Sequence, residues 1–223
     1  MIAFTAAAAA DYDVRIPRLV PGYELAQDLA ATILAEELTD DARILVAGCG
    51  TGGEILRLAE ENPGWLFTGL DPARAMLEHA RARLTEKGHA GRVTWVESEL
   101  GGEASETALP NHDAALAYLV DHFIPDDGAR AGFFHALAAG VKPGAPVLVF
   151  HHDAQDWTSA YRHWLLACGF EKPAAQAVLT RIDTLWHPLA PERLNALLDE
   201  AGLEPPRTFL RALSYHGLIT RKT

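Results

Sequence analysis

Four glycines follow an apolar run in the stretch ILVAGCGTGGE, which covers residues 44–54. Gly48, Gly50 and Gly52 allow the backbone to turn tightly and to approach a ligand without Cβ atoms in the way. Cys49 lies inside the same turn. A helix predicted to begin just after the turn points its free N–H groups at this space. These features predict a binding site for a nucleotide-type molecule.

An acidic residue occurs at the distance along the chain that is expected for a ribose ligand. Asp71 ends the run GLD, about 20 residues beyond Gly52, where an acid meets a ribose held over the first turn. Through Gly53 the turn also satisfies the dinucleotide fingerprint G-x-G-x-x-G. None of the five tyrosines has the lysine four positions later that a short-chain dehydrogenase requires, and the chain is too short for a separate substrate domain. A nicotinamide enzyme is therefore disfavoured.

Short apolar runs alternate with longer helical patterns along the chain. This alternation predicts a parallel sheet with helices on both faces in one domain, residues 13–223, behind a flexible tail, residues 1–12. Residues 151–188 are rich in aromatic side chains and histidine, and we interpret them as an insertion that caps a substrate. Strands are predicted at 43–47, 66–70, 93–97, 113–119, 145–150, 207–213 and 215–221, and helices at 23–38, 53–61, 72–87, 127–140 and 190–201.

Composition excludes several classes of partner. The formal net charge is −11, with 30 acidic and 19 basic residues, so the surface repels a polyphosphate backbone and no general nucleic-acid binding is expected. No apolar run approaches the length of a membrane span, and the N-terminus makes a poor signal peptide. Two cysteines are too few for a disulfide framework, which favours a reducing cytoplasm. A homodimer is left open.

Several motifs occur in an order typical of one enzyme family. In sequence order they are VAGCGTG, TGLDPARAMLEHAR, VESEL, LPNHDAALAYLVDHFI, LAAGVKPGAPVLVF and APERLNALLDEAGLE. With these motifs the chain resembles a class I S-adenosylmethionine-dependent methyltransferase. The resemblance implies a Rossmann-like α/β fold: a seven-stranded, mostly parallel sheet with an antiparallel C-terminal strand pair and helices on both faces. It also implies that S-adenosyl-L-methionine is the cofactor.

The resemblance assigns roles to individual residues. Asp71 would bind the ribose, and Glu99 with Leu100 would lie at the adenine edge. The segment IPRLVPGYE is similar to the branch that contains carboxy-S-adenosylmethionine synthase of the tRNA wobble-uridine pathway, which gives Tyr23 a cofactor role. Arg181 falls where that synthase holds the additional carboxylate. The full set of expected cofactor-binding residues is Tyr23, Gly48, Cys49, Gly50, Gly52, Asp71, Pro72, Glu99, Leu100, Tyr118 and Arg181.

One position departs from the family pattern. Val46 stands where the family usually has Asp or Glu, two residues before the first glycine. The loss of that polar contact could weaken donor binding by about 1–2 kcal/mol. Val46 therefore raises the alternative of a non-catalytic S-adenosylmethionine-binding module.

Methyl transfer from a sulfonium is an in-line displacement, so the protein mainly aligns the two reacting atoms and excludes water. A base is needed when the acceptor atom carries a proton. His122 and His152 are the base candidates, because both follow strands at the sheet edge where ligands bind in open α/β folds. Each could instead be a polar residue that ends a strand. Because adjacent side chains on a strand point opposite ways, the HHD run at 151–153 predicts no metal site.

The sequence thus favours methyl transfer to a small-molecule acceptor. A carboxy-S-adenosylmethionine synthase-like enzyme of tRNA modification is one alternative, and the non-catalytic binding module is another. The acceptor itself is not specified by these motifs.

Overall fold

A single mixed sheet forms the centre of the molecule. The computed structural model describes residues 6–101 and 111–223, and within these ranges the sheet has seven strands in the order β3-β2-β1-β4-β5-β7-β6. Strands β1 to β5 are parallel, whereas β7 runs antiparallel to both β5 and β6. The strands are β1 Arg43–Ala47, β2 Leu66–Leu70, β3 Val93–Val96, β4 Ala114–Tyr118, β5 Pro146–His152, β6 Arg207–Ala212 and β7 Tyr215–Arg221.

Helices cover both faces of this sheet. They are α1 Ala6–Leu19, α2 Tyr23–Glu37, α3 Gly53–Glu61, α4 Arg74–Glu86, α5 Ala129–Ala139, α6 Thr158–Ala167, α7 Lys172–Leu185 and α8 Pro191–Glu200. None of the helices within the described ranges combines the length and apolar character needed to cross a membrane. The predicted fold class is confirmed, including the antiparallel C-terminal strand pair.

The two faces of the sheet bury separate apolar layers. Central strand β1 is apolar along its length because helices cover it on both sides. Ile44 and Val46 belong to one layer, together with side chains of α2, α3, α6 and α7. Leu45 and Ala47 belong to the other layer, which contains α5 and α8. The carboxyl ends of β1, β2, β4 and β5 therefore share one edge, where α1, α6 and α7 also gather.

The expected flexible tail is wrong for residues 6–12, which form the beginning of α1. Alanine-rich sequence has high helix propensity, and the helix buries Ile16 against the core, with Val20 just after its end, while Tyr12 packs beside them. Residues 1–5 lie outside the described residues. Strand β5 also runs two residues beyond its predicted end, because His151 and His152 pair with His216 and Tyr215 of β7.

The aromatic segment 151–188 folds as the end of β5 followed by α6 and α7. It docks on the end of α1: the Tyr161 hydroxyl donates to the carbonyl of Leu19 at 2.9 Å, and the Trp164 indole donates to that of Arg18 at 3.1 Å. Leu165 and Leu179 enter the apolar layer of α2 and α3. The segment is therefore packed into the domain beside the carboxyl edge of the sheet.

Replacing Gly48 by Ala should destabilise the fold. Gly48 has φ +66°, and a Cβ atom there would collide with Val120 Cγ2. The left-handed backbone conformation is strained for alanine, and the added methyl group overpacks against Val120. Together these effects should lower the free energy of unfolding by about 2–4 kcal/mol. Urea denaturation measures this change, and Gly132→Ala is the matched control. Gly132 lies in α5 with open space around its Cα, so that change should be neutral or stabilising. Equal stability of the two variants would contradict the steric argument.

Candidate functional site

The glycine turn follows β1 at the carboxyl edge of the sheet. Gly48, Gly50 and Gly52 all have positive φ, at +66°, +50° and +76°. At Gly52 a Cβ atom would press against Ala80 and Leu84, so the missing side chain lets α4 pack directly on the turn. At Gly50 no atom of the described residues lies within 4 Å of a built Cβ position. The turn therefore presents bare backbone to open space at Gly50.

Asp71 is bonded directly to this turn. One carboxylate oxygen accepts the Gly50 N–H at 2.9 Å, and the other accepts the Ala73 N–H at 2.8 Å. Burial raises the pKa of Asp71, while these two N–H donors act in the opposite direction. The glycine turn and Asp71, about 20 residues apart in the sequence, therefore form one hydrogen-bonded unit. Pro72, the next residue, is exposed beside it.

Glu54 is a buried acid of the site that the sequence reasoning missed. Its Oε1 accepts the Tyr23 hydroxyl and the Gln27 amide, each at 3.1 Å. Tyr23 Oη also lies 3.4 Å from the position of a Cβ built on Gly53, so the phenol is beside the glycine turn. Burial raises the pKa of Glu54, and its hydrogen bonds oppose that shift. The helical spacing of Tyr23 and Gln27 was the available signal for this pair of donors.

Val46 itself is part of the core. It pairs with Gly69 of β2 and Leu116 of β4, and its side chain is 1% exposed. Glu54 lines a small cavity together with Leu116 and Tyr118. The carboxylate near this face of β1 and β4 therefore comes from α3, whereas the family pattern would place it on β1.

The other predicted donor residues are found at differing distances from the turn. Cys49 is buried inside it, and burial raises the pKa of the thiol, which therefore stays protonated. Tyr118 is buried at the end of β4, where its hydroxyl donates to the carbonyl of Ala26 at 3.3 Å. Glu99 is exposed and Leu100 half-buried in the loop after β3. Cys49, Tyr118 and the loop with Glu99 and Leu100 thus lie at the carboxyl ends of β1, β4 and β3.

Arg181 is not brought into this group. Its side chain is exposed on α7. The residues of α7 that line the cleft beside His152 are Leu179, Ile182 and Asp183. An arginine that holds a donor carboxylate would have to face the cleft, so this geometry gives the predicted role of Arg181 no support.

His122 and His152 lie together at the ends of β4 and β5. Their ring centroids are 6.4 Å apart, and the ring of Trp186 packs on both, at 4.2 Å from His122 and 5.2 Å from His152. Both rings are buried, and across the described chain neither Nδ1 atom has a hydrogen-bond partner. The structure thus brings the two candidate bases into one aromatic cluster.

Both histidines are electrically neutral near pH 7. Burial lowers the pKa of His152 to about 4, with His216 adding to the effect. Burial, followed by the proximity of His152, lowers the pKa of His122 well below its usual value. A neutral imidazole can accept a proton or a hydrogen bond, which is the state that a general base requires.

His151 points to the opposite face of β5, as expected for neighbouring residues on a strand. Its ring lies 5.6 Å from that of His216, whose Nε2 is 3.1 Å from an oxygen of Asp153. In residues 6–101 and 111–223 no group of three or more His, Cys, Asp or Glu side chains is arranged to hold a metal ion. The histidines of this edge therefore form two separate clusters, and the one with His152 faces the cleft.

The cleft beside His152 lies between α6, α7 and the turn joining β6 to β7. Its walls include Trp157, Tyr161, Tyr215, Ile182 and Asp183. Trp157 is 45% exposed, and Tyr215 packs against His152 with ring centroids 4.9 Å apart. The cleft thus combines aromatic walls with polar side chains, and it includes the neutral imidazole of His152.

Comparisons with known proteins give sequence matches over part of the chain. Residues 45–147 match the family described as "Methyltransferase domain". The chain is 28% identical over 113 residues to carboxy-S-adenosyl-L-methionine synthase of Campylobacter concisus, covering 51% of this chain and 46% of that protein. The corresponding enzyme of Campylobacter curvus is 27% identical over 139 residues, covering 62% of this chain and 56% of that protein. The chain therefore spans about half the length of these curated relatives.

Solved structures establish the fold independently. A protein of Bordetella parapertussis superposes with a TM-score of 0.72 at 21% identity, covering 92% of this chain and 69% of that chain. Mitomycin 7-O-methyltransferase superposes with a TM-score of 0.64 at 21% identity, covering 89% of this chain and 54% of that chain. The fold is the Rossmann-like fold of class I methyltransferases. With the family match over residues 45–147, somewhat less than half of its length, the chain resembles the S-adenosylmethionine-dependent methyltransferases.

Acidification should destabilise this protein. Burial lowers the pKa of His112, His122, His151, His152 and His216, to about 3 for His151 and about 4 for His152. Below the unfolded value of about 6.5, the unfolded chain takes up protons that the folded chain refuses. Stability should therefore fall as the pH drops from 6.5 towards 4, by up to about 1.4 kcal/mol per pH unit for each buried histidine.

Asp121, Glu54 and Asp71 act with the opposite sign, because burial raises their pKa, to about 6 for Asp121, but these three carboxyls are fewer than the five histidines. Urea denaturation at pH 7.5, 6.5 and 5.5 measures the slope of stability against pH. His152→Gln should reduce that slope by nearly the amount that corresponds to one proton taken up on unfolding. His163→Gln, on the exposed face of α6, should leave the slope unchanged. A slope that His152→Gln does not alter would contradict the buried, neutral state of His152.

Proposed function

We propose that this protein transfers the methyl group of S-adenosyl-L-methionine to a small-molecule acceptor held against His122 and His152. One observation carries the proposal. The Asp71-braced glycine turn lies at the same sheet edge as two buried, neutral histidines and an aromatic cleft. This arrangement supports a donor site and a proton-accepting site in one domain.

The donor would lie over the glycine turn. Gly50 leaves the backbone open to the ligand, and both Asp71 oxygens retain lone pairs for ribose hydroxyls. Glu99 and Leu100 would contact the adenine edge. Glu54 supplies negative charge near the turn, which favours the cationic sulfonium and ammonium groups of the methionine part. Its position on α3 offsets the missing acid at Val46.

The acceptor would enter the cleft between α6, α7 and the β6–β7 turn. Tyr161 and Tyr215 offer flat apolar walls, and His152 at the floor can accept a proton from a hydroxyl or amine. The helices of segment 151–188 limit the space, which suits a small molecule better than a polymer. Proton transfer would accompany or precede the in-line displacement, and closure by the aromatic walls would exclude water.

Two alternatives receive less support. Carboxy-S-adenosylmethionine synthesis agrees with the names of the curated relatives, but it requires an arginine at the donor, and Arg181 is exposed on α7. A non-catalytic binding module was suggested by Val46. Glu54 weakens that argument, because a buried carboxylate is present on the same side of the turn.

Changing Asp71 to Ala should weaken donor binding at least about tenfold, since a hydrogen bond to a charged group is lost together with the brace on the turn. Isothermal titration calorimetry with S-adenosyl-L-methionine measures the affinity. Asp199→Ala, an exposed acid at the end of α8, is the control and should bind like the wild type. Absence of donor binding to the wild-type protein would overturn the proposed function.

Replacing His152 or His122 by Gln should lower kcat for hydroxyl acceptors by about 10²–10⁴, the usual contribution of a general base. A coupled assay of S-adenosylhomocysteine release, run over a panel of phenols, catechols and amines, measures the rate. Donor affinity should remain unchanged in both variants. His135→Gln, an exposed change on α5, serves as the control. Unchanged kcat in both site variants would contradict a histidine base and leave proximity as the catalytic device.

A further inference from the structure

The cleft beside His152 contains one unpaired carboxylate. Asp183 of α7 is the only Asp, Glu, Lys or Arg among the described residues that line the cleft. Its side chain is exposed, and no residue of the described ranges forms a hydrogen bond or an ion pair with it. Arg181 lies two residues earlier on the same helix but does not line the cleft. The charge that the cleft presents to a ligand is therefore negative.

Hydroxyl groups that line the cleft use their protons inside the protein. Tyr215 donates to the hydroxyl of Tyr161 at 3.3 Å, and Tyr161 donates to the carbonyl of Leu19 at 2.9 Å. The Ser214 hydroxyl donates to the carbonyl of Gln155 at 2.8 Å. A carboxylate or phosphate group of a ligand needs hydrogen-bond donors, and these three hydroxyls no longer supply them. The cleft is therefore poorly suited to an acidic acceptor.

Aromatic faces add to the attraction for a cation. Trp157, just before α6, is 45% exposed and lines the cleft together with the rings of Tyr161 and Tyr215. The face of an aromatic ring carries negative electrostatic potential and attracts ammonium groups, most strongly for tryptophan. Asp183 and these rings thus favour the same class of ligand, one that carries a positive charge.

The charged and the proton-accepting groups of the cleft differ in burial. Asp183 and Trp157 are exposed, whereas His152 and Tyr215 are buried. A cation that pairs with Asp183 can keep part of its hydration, which avoids the cost of burying a charge completely. A hydroxyl group can instead reach the buried imidazole, because a neutral hydroxyl costs less to desolvate. The cleft therefore fits a molecule with its ammonium group at one end and its hydroxyl group at the other.

We infer that the acceptor is a phenolic amine: its ammonium group pairs with Asp183 at the exposed rim, and its hydroxyl group contacts His152. Asp183 is then the residue that determines specificity, since it attracts cationic acceptors and repels acidic ones. Trp157 and Tyr215 contact the ring of the acceptor. This inference rests on the proposed function, because it takes the aromatic cleft as the acceptor site of a methyl transfer.

Three probes that share a phenol ring and differ in charge test the inference. They are tyramine, 4-ethylphenol and 3-(4-hydroxyphenyl)propanoate, titrated by calorimetry into the full chain with S-adenosylhomocysteine present. Tyramine should bind about tenfold more tightly than 4-ethylphenol, through the ion pair and the cation–π contacts, and the acid should bind most weakly. Raising the salt concentration from about 0.05 M to about 0.5 M should reduce the advantage of tyramine, because salt screens an exposed charge pair.

Variants of Asp183 separate charge recognition from general packing. Asp183→Asn should abolish most of the preference for tyramine and leave the affinity for 4-ethylphenol unchanged, and Asp183→Lys should make the acid the tightest of the three probes. Glu171→Gln removes the same charge from an exposed position just before α7, outside the cleft, and is the matched control. It should keep the wild-type order of affinities.

Equal binding of tyramine and 4-ethylphenol to the wild-type protein would overturn the inference, as would an unchanged preference in Asp183→Asn or no binding of any probe. A separate titration with S-adenosyl-L-methionine distinguishes the two proposals. A wild-type protein that selects tyramine through Asp183 but does not bind S-adenosyl-L-methionine would overturn the proposed function and retain the charge selectivity of the cleft.

Discussion

The hydrogen bond between the Gly50 N–H and the carboxylate of Asp71 is the contact on which the donor site depends. It ties the end of β2 to the turn after β1, so the two ligand-facing segments cannot move independently. Glycine makes this possible because the turn needs positive φ at three positions and direct packing against α4 at Gly52. A preorganised turn lowers the entropy that donor binding must overcome.

Polar groups are buried here where function can use them. His122 and His152 lack partners for Nδ1, and a buried polar atom without a partner costs stability. The rings are retained in an aromatic cluster with Trp186, which keeps them neutral and fixes their orientation. Glu54 follows the same logic with donors from Tyr23 and Gln27. The buried polar groups at this sheet edge therefore lower the stability of the fold, but they can accept protons or cations.

Segments outside the central sheet complete the site. Helices α6 and α7 form the wall of the aromatic cleft and also hold the C-terminal end of α1. Helix α1 also contacts the glycine turn, because the Asp13 carboxylate accepts the hydroxyl of Thr51.

The sequence by itself determined the seven strands, the helices α2, α3, α4, α5 and α8, the glycine turn, Asp71 and the position of His122 and His152 at the carboxyl ends of β4 and β5. Such features follow from local rules: apolar periodicity, the conformational freedom of glycine and the alternation of side chains along a strand. Tertiary structure alone decided that a buried carboxylate near this face of β1 comes from Glu54 of α3, that Arg181 is exposed and is not among the residues lining the cleft, and that residues 6–19 and the segment 151–188 add helices α1, α6 and α7. These outcomes depend on contacts between residues far apart in the chain, and no local pattern specifies which long-range partner a side chain will meet.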